Sequence, residues 1–228
     1  MRDILFVWDI DGTLIHCGSC GREALNDTFR ELFNVDNAFK NAKIGGKMDS
    51  VVLEEIFKQH NISEDKRPLI LEMYGIALKK SLDSYKNKRV LPGIKNILEF
   101  SKTNKNIYNT IATSNFEIGA RIKLDVHGLN PYFLTGGFGD TAKEKWQSAI
   151  QAIKDTEKLY EIEFKKENIY IIGDTWYDIE CAKKLGVKSI AVATGWVSYE
   201  DLKEYDPDFI FKDLENYQSI LNTICNDW

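Results

Sequence analysis

The sequence predicts an α/β fold: a parallel sheet with helices on both faces, interrupted after its first strand by a run of helices. Three observations carry this prediction. Leu5, Phe6, Val7 and Trp8 are apolar without a break, as expected of a strand buried on both faces of a parallel sheet. From residue 94 onward, strand-like and helix-like segments alternate, the pattern of β/α crossover units. Between these two regions the apolar residues recur only at helical spacing.

The elements follow in order. The first strand ends at Asp9-Ile10-Asp11-Gly12-Thr13-Leu14. Leu25, Phe29, Leu32 and Phe33 mark one helix. Val52, Leu53, Ile56 and Phe57 mark a second, and Leu69, Ile70, Met73, Ile76 and Ala77 a third. Gly45-Gly46 and Ile62-Ser63-Glu64 separate them, and no convincing strand interrupts the bundle. Val90-Leu91-Pro92-Gly93 closes it. A helix is predicted over 94–100 and a strand over 107–112, ending in Thr113-Ser114-Asn115. A helix over 118–126 precedes a short strand over 132–135. A long polar helix covers about 144–161. A strand over 168–172 ends in Gly173-Asp174, and a helix over 179–185 stops at Gly186. Strands at 187–193 and 209–211 and a terminal helix holding Ile220 and Leu221 complete the chain. The domain reading is a core of residues 1–14 and 89–228, with a helical cap of residues 15–88 inserted between them.

Composition narrows the function. The chain has 228 residues, enough for a core with a smaller insertion. With a net charge of −5 and scattered lysines and arginines, it offers no basic stripe, so nucleic acid is not an expected partner. No apolar run reaches the length of a membrane span, and Asp3 breaks any leader pattern. Four cysteines, Cys17, Cys20, Cys181 and Cys225, lack the second pair a zinc site needs. The Cys17–Cys20 spacing reads as a small-residue loop, and a reducing, cytoplasmic compartment is expected.

The chemistry concentrates where strands end. In open α/β sheets ligands bind beyond the carboxyl ends of the strands. Asp9 and Asp11 sit at such an end and, two residues apart, face the same side. Neighbouring carboxylates repel unless a cation or a difference in protonation separates their roles. A hard cation with Asp9 as nucleophile and Asp11 as proton donor and acceptor satisfies both. Thr113, Ser114 and Asn115 offer a hydroxyl and backbone N–H groups that suit a phosphate oxygen. Lys145, at the start of the long helix, supplies a positive charge. Asp174 adds a hard oxygen ligand, with Asp178 one helical turn away to hold it or its waters. Trp8, Trp176 and Trp196 read as packing residues near strand ends, and Trp176 could also narrow the site.

Taken together these residues resemble the haloacid-dehalogenase-like hydrolases, and among them most closely the phosphoglycolate-phosphatase-like members with a helical cap after the first strand. Asp9-Ile10-Asp11-Gly12-Thr13 matches the first motif and Ile111-Ala112-Thr113-Ser114-Asn115 the second. Ile171-Ile172-Gly173-Asp174-Thr175-Trp176-Tyr177-Asp178 matches the fourth. In the third-motif region Lys143 and Lys145 both occur and the usual Lys-Pro pair is absent; spacing and helix position favour Lys145. The resemblance implies a Rossmann-like doubly wound core and magnesium held by Asp9, the Ile10 carbonyl and Asp174, with Asp178 close by. It implies hydrolysis of a small phosphorylated metabolite through an aspartyl-phosphate. A phosphoglucomutase-type transfer on the same scaffold and a non-catalytic binding or regulatory module are the alternatives. In the cap, Gly46 and Lys47 are candidates to touch substrate. Neither the identity of the metabolite nor the oligomeric state follows from the sequence.

Overall fold

In the computed structural model, residues 2–42 and 45–224 are described; Cys225 lies outside them. Six parallel strands form one sheet in the order β5-β4-β1-β6-β7-β8. They are β1 (Ile4–Trp8), β4 (Ile107–Ala112), β5 (Gly136–Gly137), β6 (Ile169–Gly173), β7 (Lys188–Val192) and β8 (Phe209–Phe211). β1 lies at the centre, with Trp8 opposite Ile111 of β4 on one side and Ile172 of β6 on the other. The chain runs outward from β1 in one direction through β4 and β5, then returns to continue the other way. The crevice of such a sheet opens at that reversal, which places it at the end of β1.

Every residue of β1 is buried, because both faces of the sheet are covered. Ile4, Phe6 and Trp8 join a core with α4 (Ile94–Thr103), α5 (Glu117–Val126) and α9 (Tyr217–Ile224). Leu5 and Val7 point the other way, to Ala149 and Ala152 of α6 (Lys145–Tyr160) and Cys181 and Ala182 of α7 (Trp176–Leu185). A two-residue period on a strand buried on both sides explains the unbroken apolar run. The short α8 (Tyr199–Lys203) packs beside β8.

Between β1 and β4 stand α1 (Cys20–Phe33), α2 (Asp49–His60) and α3 (Arg67–Ser84). They bury a separate core built on Phe29, Phe39, Phe57, Tyr74 and Leu78. Where the chain enters and leaves this bundle, β2 (Ile15–His16) pairs antiparallel with β3 (Arg89–Val90). No strand was expected there, since two residues are too few to show a period. The strand expected over 132–135 is also displaced. Asn130–Tyr132 forms a 3-10 turn around Pro131, and only Gly136–Gly137 joins the sheet. The Thr135 hydroxyl instead bonds to the hydroxyls of Thr110 and Thr156. At Gly137 a Cβ would lie 1.7 Å from the Ser148 carbonyl oxygen, so only glycine lets α6 approach the edge strand this closely.

Candidate active site

β1 delivers Asp9 at the carboxyl edge of the sheet, where its backbone N–H donates to the Ile172 carbonyl at 2.9 Å. Its carboxylate meets Lys145, the first residue of α6. The Lys145 ammonium lies 2.8 Å from Asp9 Oδ1 and 2.5 Å from Asp178 Oδ1. Asp178 Oδ2 in turn accepts from the hydroxyl of Thr175 at 2.7 Å and from its backbone N–H at 3.2 Å, capping α7. Lys143, the other lysine of this region, is exposed and pairs with Glu54.

Asp174 follows β6 and enters from the opposite side. Its Oδ1 accepts from the Thr13 hydroxyl at 3.2 Å, while its Oδ2 is buried with no hydrogen-bond partner. Two glycines wall it. A Cβ on Gly12 would lie 2.4 Å from Asp174 Oδ2, and one on Gly195 1.7 Å. Gly12 also needs its positive φ of 88° to turn the chain after Asp11. The hydroxyl of Thr194 donates to the Gly12 carbonyl at 2.6 Å, tying the loop after β7 to the first motif.

This packing is electrostatically costly. Burial lifts the Asp9 carboxyl to about 6; the neighbouring Lys145 opposes the shift and Asp178 adds to it. Burial, then repulsion from Asp9 and Asp178, pushes Asp174 well above its usual value. Burial works to neutralise Lys145, but Asp178 and Asp9 keep it firmly charged. One ammonium thus serves three buried carboxyls. The excess negative charge and the orphaned oxygen of Asp174 fit a hard divalent cation between Asp9 and Asp174. Among the described residues no group of three or more His, Cys, Asp or Glu side chains forms a metal cage. The Ile10 carbonyl, expected as a further ligand, instead accepts from the N–H groups of Thr13, Leu14 and Ile15 at 3.3, 2.9 and 3.1 Å; two carboxylates leave room for water and phosphate oxygens, as magnesium prefers.

Asp11 has different surroundings. Its side chain is 39% exposed. Oδ2 accepts from the Lys123 ammonium at 2.6 Å and from Asn115 Nδ2 at 2.8 Å, and Oδ1 accepts from the Cys17 thiol at 3.1 Å. Burial works to raise this carboxyl, but Lys123, with the hydrogen bonds from Asn115 and Cys17, holds it below the usual range. The two acids of the first motif are therefore shifted in opposite directions, Asp9 toward the neutral acid and Asp11 toward the carboxylate; a cation at Asp9 and an anionic phosphate beside Asp11 would each work against that shift. Cys17 is no bystander, since it touches Asp11. Burial pushes its own thiol strongly upward, which leaves it protonated and unsuited to redox exchange.

Thr113 is buried after β4, with its backbone N–H on the Gly137 carbonyl. The helix expected over 118–126 is α5, which begins at Glu117, so Ser114 and Asn115 precede it. The Asn115 N–H donates to Thr113 Oγ1 at 3.2 Å, and the Ser114 carbonyl accepts from the N–H of Asp49 at 2.9 Å. The inserted bundle meets the sheet here. Asp49 Oδ2 accepts from the Phe116 N–H at 3.2 Å, and Ser50 bonds to the carbonyls of Gly139 and Ala142, each at 3.2 Å. Gly46 lies against Tyr177, where a Cβ would come within 2.0 Å of the ring. Lys47 is bound to Glu55 at 2.6 Å on the exposed side of α2.

These positions can be set beside known proteins. The profile described as haloacid dehalogenase-like hydrolase matches residues 6–192. The chain belongs to the haloacid dehalogenase-like hydrolases. It is 32% identical over 216 residues to a phosphoglycolate phosphatase of Aquifex aeolicus, covering 92% of this chain and 91% of that one. It is 25% identical over 223 residues to the pyrophosphatase PpaX of Oceanobacillus iheyensis, covering 97% of each. The crystal structure of a hydrolase from Pseudomonas syringae has a TM-score of 0.68 at 19% identity, over 97% of this chain and 99% of that one, a likeness of fold. Among the described residues no helix is long and apolar enough to cross a membrane.

Reasoning from this hydrolase's sequence missed Lys123 at the site and the burial of Asp49. Lys123 is 4% exposed, and it stands on the same face of α5 as Gly119 and Ala120. A lysine in a stripe that helical spacing assigns to the interior was the available signal. Asp49 is lifted to about 7 by burial against the sheet. It begins a helix, and a helix-start acid carries no sequence mark of being buried. Trp8 is a core residue whose Nε1 donates to Asn109 at 2.8 Å. Trp176 stacks on Tyr205 at 5.7 Å and meets the exposed Trp196 edge-on at 5.0 Å.

Proposed function

We propose that this chain is a magnesium-dependent phosphatase that hydrolyses a small phosphomonoester through a phosphoryl group carried on Asp9. The observation that carries the reading is the Lys145 ammonium held between Asp9 and Asp178 beside the orphaned oxygen of Asp174. Asp9 and Asp174 are the groups to hold magnesium, which when bound supplies positive charge to the phosphoryl oxygens. Asp9 attacks phosphorus. Asp11 gives a proton to the departing alcohol and later takes one from the hydrolytic water. Lys145 and Thr113 stabilise charge on the transferring group. Asp178 contributes by fixing Lys145. The α1–α3 bundle, as a cap over residues 15–88 with Gly46 packed on Tyr177, excludes water while the site is closed. The surroundings proposed for this chemistry are cytoplasmic.

The test is phosphate release from a panel of small phosphate esters and pyrophosphate, with and without magnesium. Phosphoglycolate and pyrophosphate head the panel, since two relatives are named for them. Asp9→Asn should retain the fold and lose at least about 10³-fold in turnover. Near-normal release by that variant overturns the nucleophile. Transfer of the phosphoryl group within a sugar phosphate without free phosphate would make the chain a mutase.

A further inference from the structure

We propose that Lys123 is a positioning residue that sets, through Asn115, the hydrogen-bond polarity of the phosphate-binding hydroxyl, and that it fixes Asp11 at the same time. The inference rests on the phosphatase reading above and adds to it a residue outside the motifs.

Lys123 Nζ sits 2.6 Å from Asp11 Oδ2 and 2.8 Å from Asn115 Oδ1. An ammonium can only donate. It therefore requires the carbonyl end of the Asn115 amide to face it, and the amide is not free to flip. Nδ2 must then face the other way, and it does, donating to Asp11 Oδ2 at 2.8 Å and to Thr113 Oγ1 at 2.7 Å. Thr113 Oγ1 also accepts from the backbone N–H of Asn115 at 3.2 Å. A hydroxyl oxygen has two lone pairs, and both are now occupied. The proton of Thr113 is left to donate, and among the described residues no acceptor takes it. The chain of donors thus runs Lys123 to Asn115 to Thr113, and delivers an O–H at the place proposed for a phosphoryl oxygen.

The same ammonium locks Asp11, so one buried cation organises both the acid and the phosphate contact. Its burial is built in. Lys123 is only 4% exposed. Buried networks of this kind are specific when every member is satisfied and lose their geometry when one is removed. Lys123 does not touch the reacting atoms.

The test uses Lys123→Met and Asn115→Ala in the full chain, with inorganic phosphate as the probe. Calorimetry should show phosphate affinity falling roughly tenfold in each variant, the cost of losing a directed donor to an anion. In Lys123→Met, turnover of an alkyl phosphate should also fall at least about tenfold more than turnover of p-nitrophenyl phosphate, because only the poor leaving group needs the acid. In Asn115→Ala, where the Lys123–Asp11 pair survives, that ratio should move less than about threefold. Should Lys123→Met fail to fold, Asn115→Ala still carries the affinity test. Unchanged phosphate affinity in the folded variants, or equal losses on both esters in Lys123→Met, overturns the proposal. A wild-type protein that binds phosphate without turnover overturns the phosphatase reading instead, and the affinity comparison still decides this one.

Discussion

Lys145 and Asp178 stand 2.5 Å apart, one opening α6 and the other in the first turn of α7. The pair joins the two helices that cover one face of the sheet, and it aims the ammonium at Asp9. Replacing Lys145 leaves three buried carboxyls without a counter-charge. Lys145→Met should cost roughly 3–5 kcal/mol of stability at neutral pH, as for a buried pair that loses one partner. Turnover should fall about 10²–10³-fold. Lys143→Ala, which removes an exposed ion pair with Glu54, should change stability by less than about 1 kcal/mol and leave turnover alone. Thermal melts and kinetics of the two variants side by side check the choice between these lysines, and the reverse ranking would refute it.

Gly195 isolates the role of Asp174. A methyl group at this position collides with Asp174 Oδ2, so Gly195→Ala must push the carboxylate aside. Apparent magnesium affinity should drop about 10–100-fold, as when the supports of a metal ligand are disturbed. A magnesium activation curve that superposes on the wild type would show that Asp174 is not a ligand.

The metal-free protein should respond to pH with a definite sign. Asp9 rises from its ordinary 3.8 to about 6 in the folded state. The folded chain therefore holds more protons than the unfolded one between these values, and stability falls as pH rises from about 4 through about 6. A cation between Asp9 and Asp174 removes that penalty. Magnesium should raise Tm more at pH 7.5 than at pH 5, by roughly 5–10 °C at a hundredfold excess over its Kd. Equal shifts at the two pH values would contradict a site at these carboxyls.

Asp49 gives a second test with the opposite consequence for a mutation. Burial raises it to about 7, so its charge opposes folding increasingly from about pH 4 to about pH 7 and fully above. Asn retains an oxygen to accept from the Phe116 N–H. Asp49→Asn should raise Tm at pH 8 and leave it unchanged at pH 5. A loss of stability at both would mean that the carboxylate is needed as a charge where α2 meets the sheet.

Much of this was legible in the chain because it depends on local pattern. The run from Leu5 to Trp8 announces a strand covered on both faces, and Asp9, Asp11 and Asp174 announce themselves by following strands. Ile107–Ala112 and Phe209–Phe211 form the strands that their patterns indicate. What escaped is set by contacts distant in sequence. The edge strand at Gly136–Gly137 exists because Gly137 tolerates the Ser148 backbone against it, and apolar spacing cannot report such a contact. The partner of Asp11 is 112 residues away. Lys123 shows in the sequence only as a lysine within the interior stripe of α5, and what it pairs with depends on how the helices pack.

The pairing of Ile15–His16 with Arg89–Val90 has a mechanical meaning. Both leads into the three-helix bundle are yoked in one ribbon, so neither can swing while the other stays behind. Rotation of the bundle has a single pivot. That pivot lies a few residues from Asp11, and small angular changes at the ribbon would become large displacements of Gly46 against Tyr177 of α7.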